Sequence, residues 1–265
     1  MNLPREYIRI ARDITGYWGA YPPSYPLSPG MIGRPDEKNG AFIKEDYLKD
    51  MPGFNPVTHA VEDNAIGPDP VSVWTTKGVS MKALGAGVAT PGLPASGKIQ
   101  VHFGAENEAA VICNGNLYRS FSSLRAVKEL MFDLLGKKKW DPAQCLVTEV
   151  LVAKAAWIFY ATEKDQTAEI QGSAPLDLSK FALPLDALKE LAGKADLVAS
   201  FSGSRSAGIT SSLPGGGTPL FRAIQFKEEG IFDRRTTIDF TKGADSTFVE
   251  PAFGEVQRKP GRRIH

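Results

Sequence analysis

The chain has 265 residues, 42% of them hydrophobic and 23% charged, with a formal net charge of +1. That is enough chain to bury a core as one large domain, or a domain plus a tail, and the near-zero charge excludes global steering to nucleic acid or acidic lipid. No apolar run approaches the roughly 18 residues of a transmembrane helix, and the charged start lacks a signal-peptide core, so the expected starting compartment is the cytoplasm.

In chain order, "LPREYIRIARDIT" predicts a short amphipathic helix. Leu3, Tyr7, Ile10 and Ile14 form its stripe, and Arg5, Arg9 and Arg12 fall largely off it. Such a helix docks on a sheet or lies on a membrane, which makes the three arginines candidate lipid contacts. Residues 18–35 are dense in Pro, Gly and Tyr and predict extended coil, packed through Trp18, Tyr21 and Tyr25. "GAFIKEDYLKDM" reads as a short strand and a helical turn, and residues 52–70 as loop.

From Val71 the texture is that of strands. "VSVWTTKGVSMKALGAGV" is a weak strand region, whereas "KIQVHFGA" alternates cleanly, with Ile99, Val101 and Phe103 opposed to Lys98, Gln100 and His102. "EAAVICNGNLY" is another strand, with Asn114-Gly115 as a tight-turn signal. "SSLRAVKELMFDLLGKKKW" is the strongest helix signal. Ser122 or Ser123 caps it, Leu124, Val127, Met131, Leu134 and Leu135 form its stripe, and Gly136 suits the stop. Lys137, Lys138 and Lys139 complement the helix dipole as a solvated end, or else touch an anionic surface.

"CLVTEVLVAKAAWIFYATEKDQTAEIQGSA" predicts two or three strands with a turn at Lys164-Asp165-Gln166, and "LPLDALKELAGK" a short helix. The Ser- and Gly-rich "ADLVASFSGSRSAGITSS" follows as a strand pair. Gly215, Gly216 and Gly217 then lead into "TPLFRAIQF". A phosphate loop would need a Lys and a helix start behind those glycines. Thr218, Pro219 and a strand-like run stand there instead, so the glycines predict an exposed connection between strands. Residues 229–265 contain one strand-like piece and end in the basic "QRKPGRRIH".

No residue pattern marks catalysis. His59, His102 and His265 lack metal-ligand spacing, and Cys113 and Cys145 read as buried thiols. Glu106 and Glu108 fall in an expected hairpin turn, and Glu149 and Lys154 could form a structural ion pair. No dinucleotide fingerprint or nucleophile elbow is present, and the basic clusters lack interleaved aromatics. The chain is accordingly expected to be no enzyme, with no catalytic, cofactor or metal residue assigned and no nucleic acid as partner. Short turn signals predict antiparallel pairing. The expected fold class is α+β, a twisted, mostly antiparallel sheet with packed helices over residues 1–230, followed by a tail over 231–265.

The order of these elements, with "KIQVHFGAENEAAVI", "LVTEVLVAKAAWIFYATEKDQTAEI", "LVASFSGSRSAGITSS" and "TPLFRAIQF" in sequence, resembles the bacterial gasdermins over about residues 1–230. The resemblance rests on element order rather than on a motif. It implies an autoinhibited, cytoplasmic protein whose C-terminal segment is removed by an activating protease. The remainder would then self-oligomerise and permeabilise the inner membrane as a β-barrel, in defence-related cell death. The regions 71–112 and 145–173 match the family's membrane hairpins, and the tail after residue 230 matches its inhibitory segment, with Phe248 and Phe253 as tail anchors. The family's N-terminal lipidated cysteine has no counterpart, since the first cysteine is Cys113. A soluble α+β binding or scaffold domain without membrane activity is the competing expectation, and a hydrolase without a recognisable motif is a third.

Overall fold

The structure, a computed structural model, describes residues 3–22, 24–36, 41–65, 71–84, 96–114, 117–153, 155–175, 197–202, 209–212, 217–226 and 248–249. In chain order these are α1 (Leu3–Thr15), β1 (Trp18–Gly19), β2 (Met31–Pro35), β3 (Phe42–Tyr47), a 3-10 turn (Leu48–Asp50), β4 (Val61–Ala65), β5 (Val71–Thr75), β6 (Val79–Leu84), β7 (Ser96–Phe103), β8 (Glu108–Asn114) and β9 (Leu117–Phe121). Then come α2 (Leu124–Gly136), β10 (Cys145–Ala153), β11 (Ala155–Ala161), β12 (Gln166–Pro175), β13 (Leu197–Ser202), β14 (Ile209–Ser212), β15 (Gly217–Phe226) and β16 (Phe248–Val249).

The expected α+β class is wrong. The chain is mostly β, built as three antiparallel sheets with two short α-helices among the described residues. The base sheet holds β1, β2, β3, β4, β9, β10, β15 and β16, the middle sheet β14-β11-β8-β5, and the cover sheet β13-β12-β7-β6. The helices patch its surfaces rather than form a layer. The expected helix within "LPLDALKELAGK" lies outside the described residues.

The three sheets are successive lengths of one four-stranded ribbon. Its four long strands are β4-β5-β6, β7-β8-β9, β10-β11-β12 and β13-β14-β15, and each pairs with its neighbour in all three sheets. The two inner strands keep a single register from Lys98 to Ser120, with a shift only beyond Gln171. Lys98 faces Gln171, Phe103 faces Gln166, Glu108 faces Ala161, Asn114 faces Ala155, and Leu117 faces Val152. Between middle and cover sheets the ribbon turns a corner at Thr76–Gly78, Gly104–Asn107 and Thr162–Asp165, and folds back on itself.

Folding back makes a sandwich. Ile99, Val101, Phe103, Ala168 and Ile170 of the cover sheet meet Ala110, Ile112, Trp157 and Phe159 of the middle sheet in one buried cluster. The other face of the middle sheet carries Ala109, Val111, Cys113, Ile158 and Tyr160, and Ile8, Ile10 and Ala11 of α1 pack in the same clusters. The central strands of the middle sheet, β8 and β11, are therefore apolar on both faces, which is why "AAVIC" and "AAWIFYA" read as continuous apolar runs. On the base sheet, Val127, Leu130, Met131 and Leu134 of α2 pack with Ile32, Phe121, Leu146 and Phe226.

Several local expectations change. Of the expected turn at Asn114-Gly115, Gly115 lies outside the described residues, and the flanking β8 and β9 pair with β11 and β10 in one register rather than with each other. The turn at Lys164-Asp165 is present, with Asp165 at φ 60°, but it is the ribbon's corner and not a hairpin, since β11 and β12 lie in different sheets. Residues 61–65, read as loop, form β4 against β9. In α2 the Ser123 side chain accepts the Ala126 N–H at 3.2 Å, but Leu124 is 39% exposed. The helix also runs through Gly136, and the left-handed residue is Lys138, at φ 56°. Gly217 begins β15, opposite Ala153, so a strand and no helix stands behind the glycine run, of which Gly215 and Gly216 lie outside the described residues.

Candidate functional site

The feature with the clearest physical consequence is the cover sheet, which has two unlike faces. Ile99, Val101, Phe103 and Ala168 are fully buried against the middle sheet, with Ile170 nearly so and Val79 and Met81 packed at their edge. The alternate positions Ser80, Lys82, Gln100, His102, Thr167 and Glu169 are half-buried or exposed. Register aligns the faces across strands: Met81, Val101 and Ala168 share one row, and Lys82, Gln100 and Glu169 the next. On β13, Phe201 and Ala199 stand opposite Ala168 and Ile170, and Ser202 and Ser200 opposite Thr167 and Glu169. The alternation legible in "KIQVHF" is thus shared by the neighbouring strands.

The corner that joins this sheet to the middle one is pinned by short-range polar contacts. Glu108, expected in a solvated turn, is only 6% exposed; its carboxylate accepts the Ala105 N–H at 3.1 Å and fills the space beside Gly78, where a Cβ would overlap it. Gly104 N–H donates to the Gly78 carbonyl at 3.2 Å. Tyr160 Oη donates to Asn107 Oδ1 at 2.7 Å, and Asn107 takes the left-handed conformation at φ 60° that the bend requires. His102 Nε2 lies 3.7 Å from Asp165 Oδ1 across the same corner. Glu106 is exposed.

The candidate lipid-contact cations sit elsewhere, and three of them, Arg9, Arg12 and Lys137, have protein partners. Arg9 pairs with Asp13 at 3.2 Å, and the Arg12 guanidinium lies 5.6 Å from the Trp18 ring centroid. The side chain of Arg5 is outside the described residues. Lys137 bridges to Asp133 at 2.6 Å, and Lys138 and Lys139 are exposed beyond it. The arginines and lysines therefore belong to two helices packed on different cores. Of the tail anchors, Phe248 is paired with Phe226 in the β16–β15 ladder, at the edge of the base sheet, and Phe253 lies outside the described residues.

A polar cluster that the sequence did not reveal ties α1 and β1 to the base sheet. Tyr17 Oη donates to Glu149 Oε1, the Arg222 guanidinium stands 4.2 Å from the Tyr17 ring centroid, and Tyr17 stacks on Tyr118 at 5.6 Å. Glu149 thus pairs with Tyr17, with Arg222 3.9 Å away, while its expected partner Lys154 lies outside the described residues. Burial first, and then the hydrogen bond to Glu149, raises the Tyr17 phenol far above its ordinary value, and burial also raises Tyr118, Cys113 and Cys145. A group whose folded pKa is raised keeps its full contribution below the unfolded value and loses it above. Stability is therefore expected to decline once pH passes about 8.5, the free-thiol value, and more steeply past about 10, where unfolded tyrosine ionises. Urea midpoints between pH 7 and 11 check this. Tyr17→Phe should flatten the upper part of the decline, and a wild-type midpoint constant to pH 11 contradicts it.

Among the described residues no group of three His, Cys, Asp or Glu is placed to hold a metal ion, and no helix is long and apolar enough to cross a membrane. Compared with known proteins, the chain matches no family model and no curated protein.

Proposed function

We propose that the chain is a pore-forming protein whose cover sheet is the part that enters lipid. The observation that carries the reading is the cover sheet's pair of unlike faces, held in register across adjacent strands. A membrane barrel needs strands with an apolar outer and a polar inner side, fully paired so that no backbone group faces lipid unsatisfied. The eight residues of β7 and ten of β12 compare with the about nine to eleven needed to span the bilayer. The central strands of the middle sheet, β8 and β11, are apolar on both faces and cannot line a water-filled lumen, so that sheet stays outside the hydrocarbon in this reading.

Opening the sandwich at its corner would uncover a cluster of large apolar side chains, each worth about 1.5–3 kcal/mol when fully buried. Opening is therefore prohibitive in water and needs lipid, or neighbouring copies, to take over the exposed face. This keeps the function implied by the resemblance to bacterial gasdermins while giving up the α+β fold expected with it. In this reading β16 on the edge of β15 is the restraint, a protease cut before Phe248 releases it, and the released chains self-oligomerise at the inner membrane.

The test is dye release from liposomes of bacterial lipids. A specific protease site placed between Lys242 and Ser246 is cut to completion, and the uncut protein serves as control. Release is expected only after cleavage. No release from cut protein whose circular dichroism still reports folded sheet sinks the reading. A soluble binding domain is the second reading, favoured by a cleft beside β3 and β4.

A further inference from the structure

We infer that the cleft between the 3-10 turn, β4 and the residue 53–60 loop binds a small amphipathic anion, an apolar body carrying one sulfonate, carboxylate or phosphate. The cleft has a volume of about 500 Å³, within the range of small-molecule sites. Its apolar walls include Leu48, Phe54, Pro56, Val61 and Phe121. Leu48 is fully buried and Phe121 nearly so, and both belong to the core under α2, so the floor is fixed by packing. Val61 and Phe121 face each other in the β4–β9 ladder, and Ser122 holds the loop by donating its N–H to Ala60 O at 2.9 Å.

Among the described residues, the side-chain polar groups that line the cleft are donors or cations, and no carboxylate lines it. His59 is buried, and its Nδ1 accepts the Asn55 N–H at 2.9 Å. With Nδ1 used as acceptor, the ring proton of neutral His59 sits on Nε2, which has no partner among the described residues. The Phe54 and His59 rings lie 5.3 Å apart and hold the imidazole in place. At the other end Lys49 Nζ stands 5.2 Å from the Tyr47 ring centroid, and Lys44 Nζ stands 4.0 Å from the same centroid. Neither lysine is paired with a carboxylate among the described residues. An apolar slot with a histidine N–H and an unpaired ammonium is complementary to an anion on a ring or short chain, and offers little to a cation or to a strongly hydrated dianion without apolar surface. The inference does not depend on pore formation, since the cleft lies on the base sheet.

Fluorescence titration of the intact chain with anilinonaphthalene sulfonate and with neutral N-phenylnaphthylamine tests it. The two probes share their rings and differ in charge. The sulfonate is expected to bind saturably at one site. Lys49→Glu, at an exposed position, should weaken it by about tenfold or more, the size of a charge-assisted contact, and leave the neutral probe unchanged. Val61→Trp, which fills the slot from an edge strand, should abolish binding of both. Absence of saturable sulfonate binding, equal loss of both probes in Lys49→Glu, insensitivity to either substitution, or a signal that rises only as near-ultraviolet dichroism is lost would each overturn the assignment.

Discussion

Trp157→Ala is expected to cost about 3–5 kcal/mol of folding stability, the cost of emptying a large aromatic site in a packed core. For a domain with a total of about 5–15 kcal/mol, that is enough to leave it on the edge of unfolding. Trp157 is 2% exposed, sits between Ile112 and Ser212 in the middle sheet, and belongs to the cluster shared with the cover sheet. Its removal withdraws contacts from Phe103, Val101 and their neighbours on both sides of the sandwich at once. Trp157→Phe should behave differently. The indole Nε1 is buried with no hydrogen-bond partner among the described residues, so the smaller ring loses packing but also relieves an unsatisfied donor. Its net cost should stay under about 1.5 kcal/mol, as for shape-similar core exchanges. Urea unfolding followed by far-ultraviolet circular dichroism measures both. If Trp157→Ala proves as mild as a surface change, the two sheets do not pack as described.

Local chemistry was legible in the sequence wherever one strand or helix decides it alone. "KIQVHF" alternates because one face of β7 is buried and the other is not. Ser123 caps α2 because its hydroxyl can reach the Ala126 N–H, whatever the helix packs on. What was not legible depends on partners distant in sequence. β4 has four exposed residues in a row, Val61 to Asn64, so no alternation marks it; it is a strand because β9 supplies the ladder. Asn114-Gly115 has the composition of a hairpin turn, yet the flanking segments are held collinear by β10 and β11. Glu108 looked solvated because its neighbours Glu106 and Asn107 are, and only the return of Gly78 to the same corner buries it. The α+β expectation failed for the same reason. The helices were easy to see one at a time, whereas the continuity of four strands through three sheets is a property of pairing. In the candidate site the two faces of β7 could be read directly, but the matching rows on β6, β12 and β13 follow from register alone. The anion cleft could not be read, because Tyr47 and His59 come from segments that meet only after β2 and β4 have found β10 and β9.

Glu169→Lys and Lys82→Glu should move the ion selectivity of the proposed pore in opposite directions. Lys82, Gln100, Glu169 and Ser200 occupy one row across the cover sheet. In a barrel made from many copies that row becomes a ring facing the lumen, and rings of charged side chains set which ions pass. The native row carries one positive and one negative side chain per copy, so it favours neither sign strongly. Glu169→Lys gives two positives per copy and an anion-preferring ring, and Lys82→Glu gives two negatives and a cation-preferring one. Lys82 is exposed, so Lys82→Glu should alter the stability of the uncut protein by no more than about 0.5 kcal/mol, and the variant at half-buried Glu169 is compared at matched folded fraction. Reversal potentials in planar bilayers under a salt gradient separate the cases. Shifts of opposite sign for the two variants place this row in the conduction path. Native-like potentials in both, recorded from pores that conduct normally, exclude the cover sheet from the lumen and leave any membrane activity to another part of the chain.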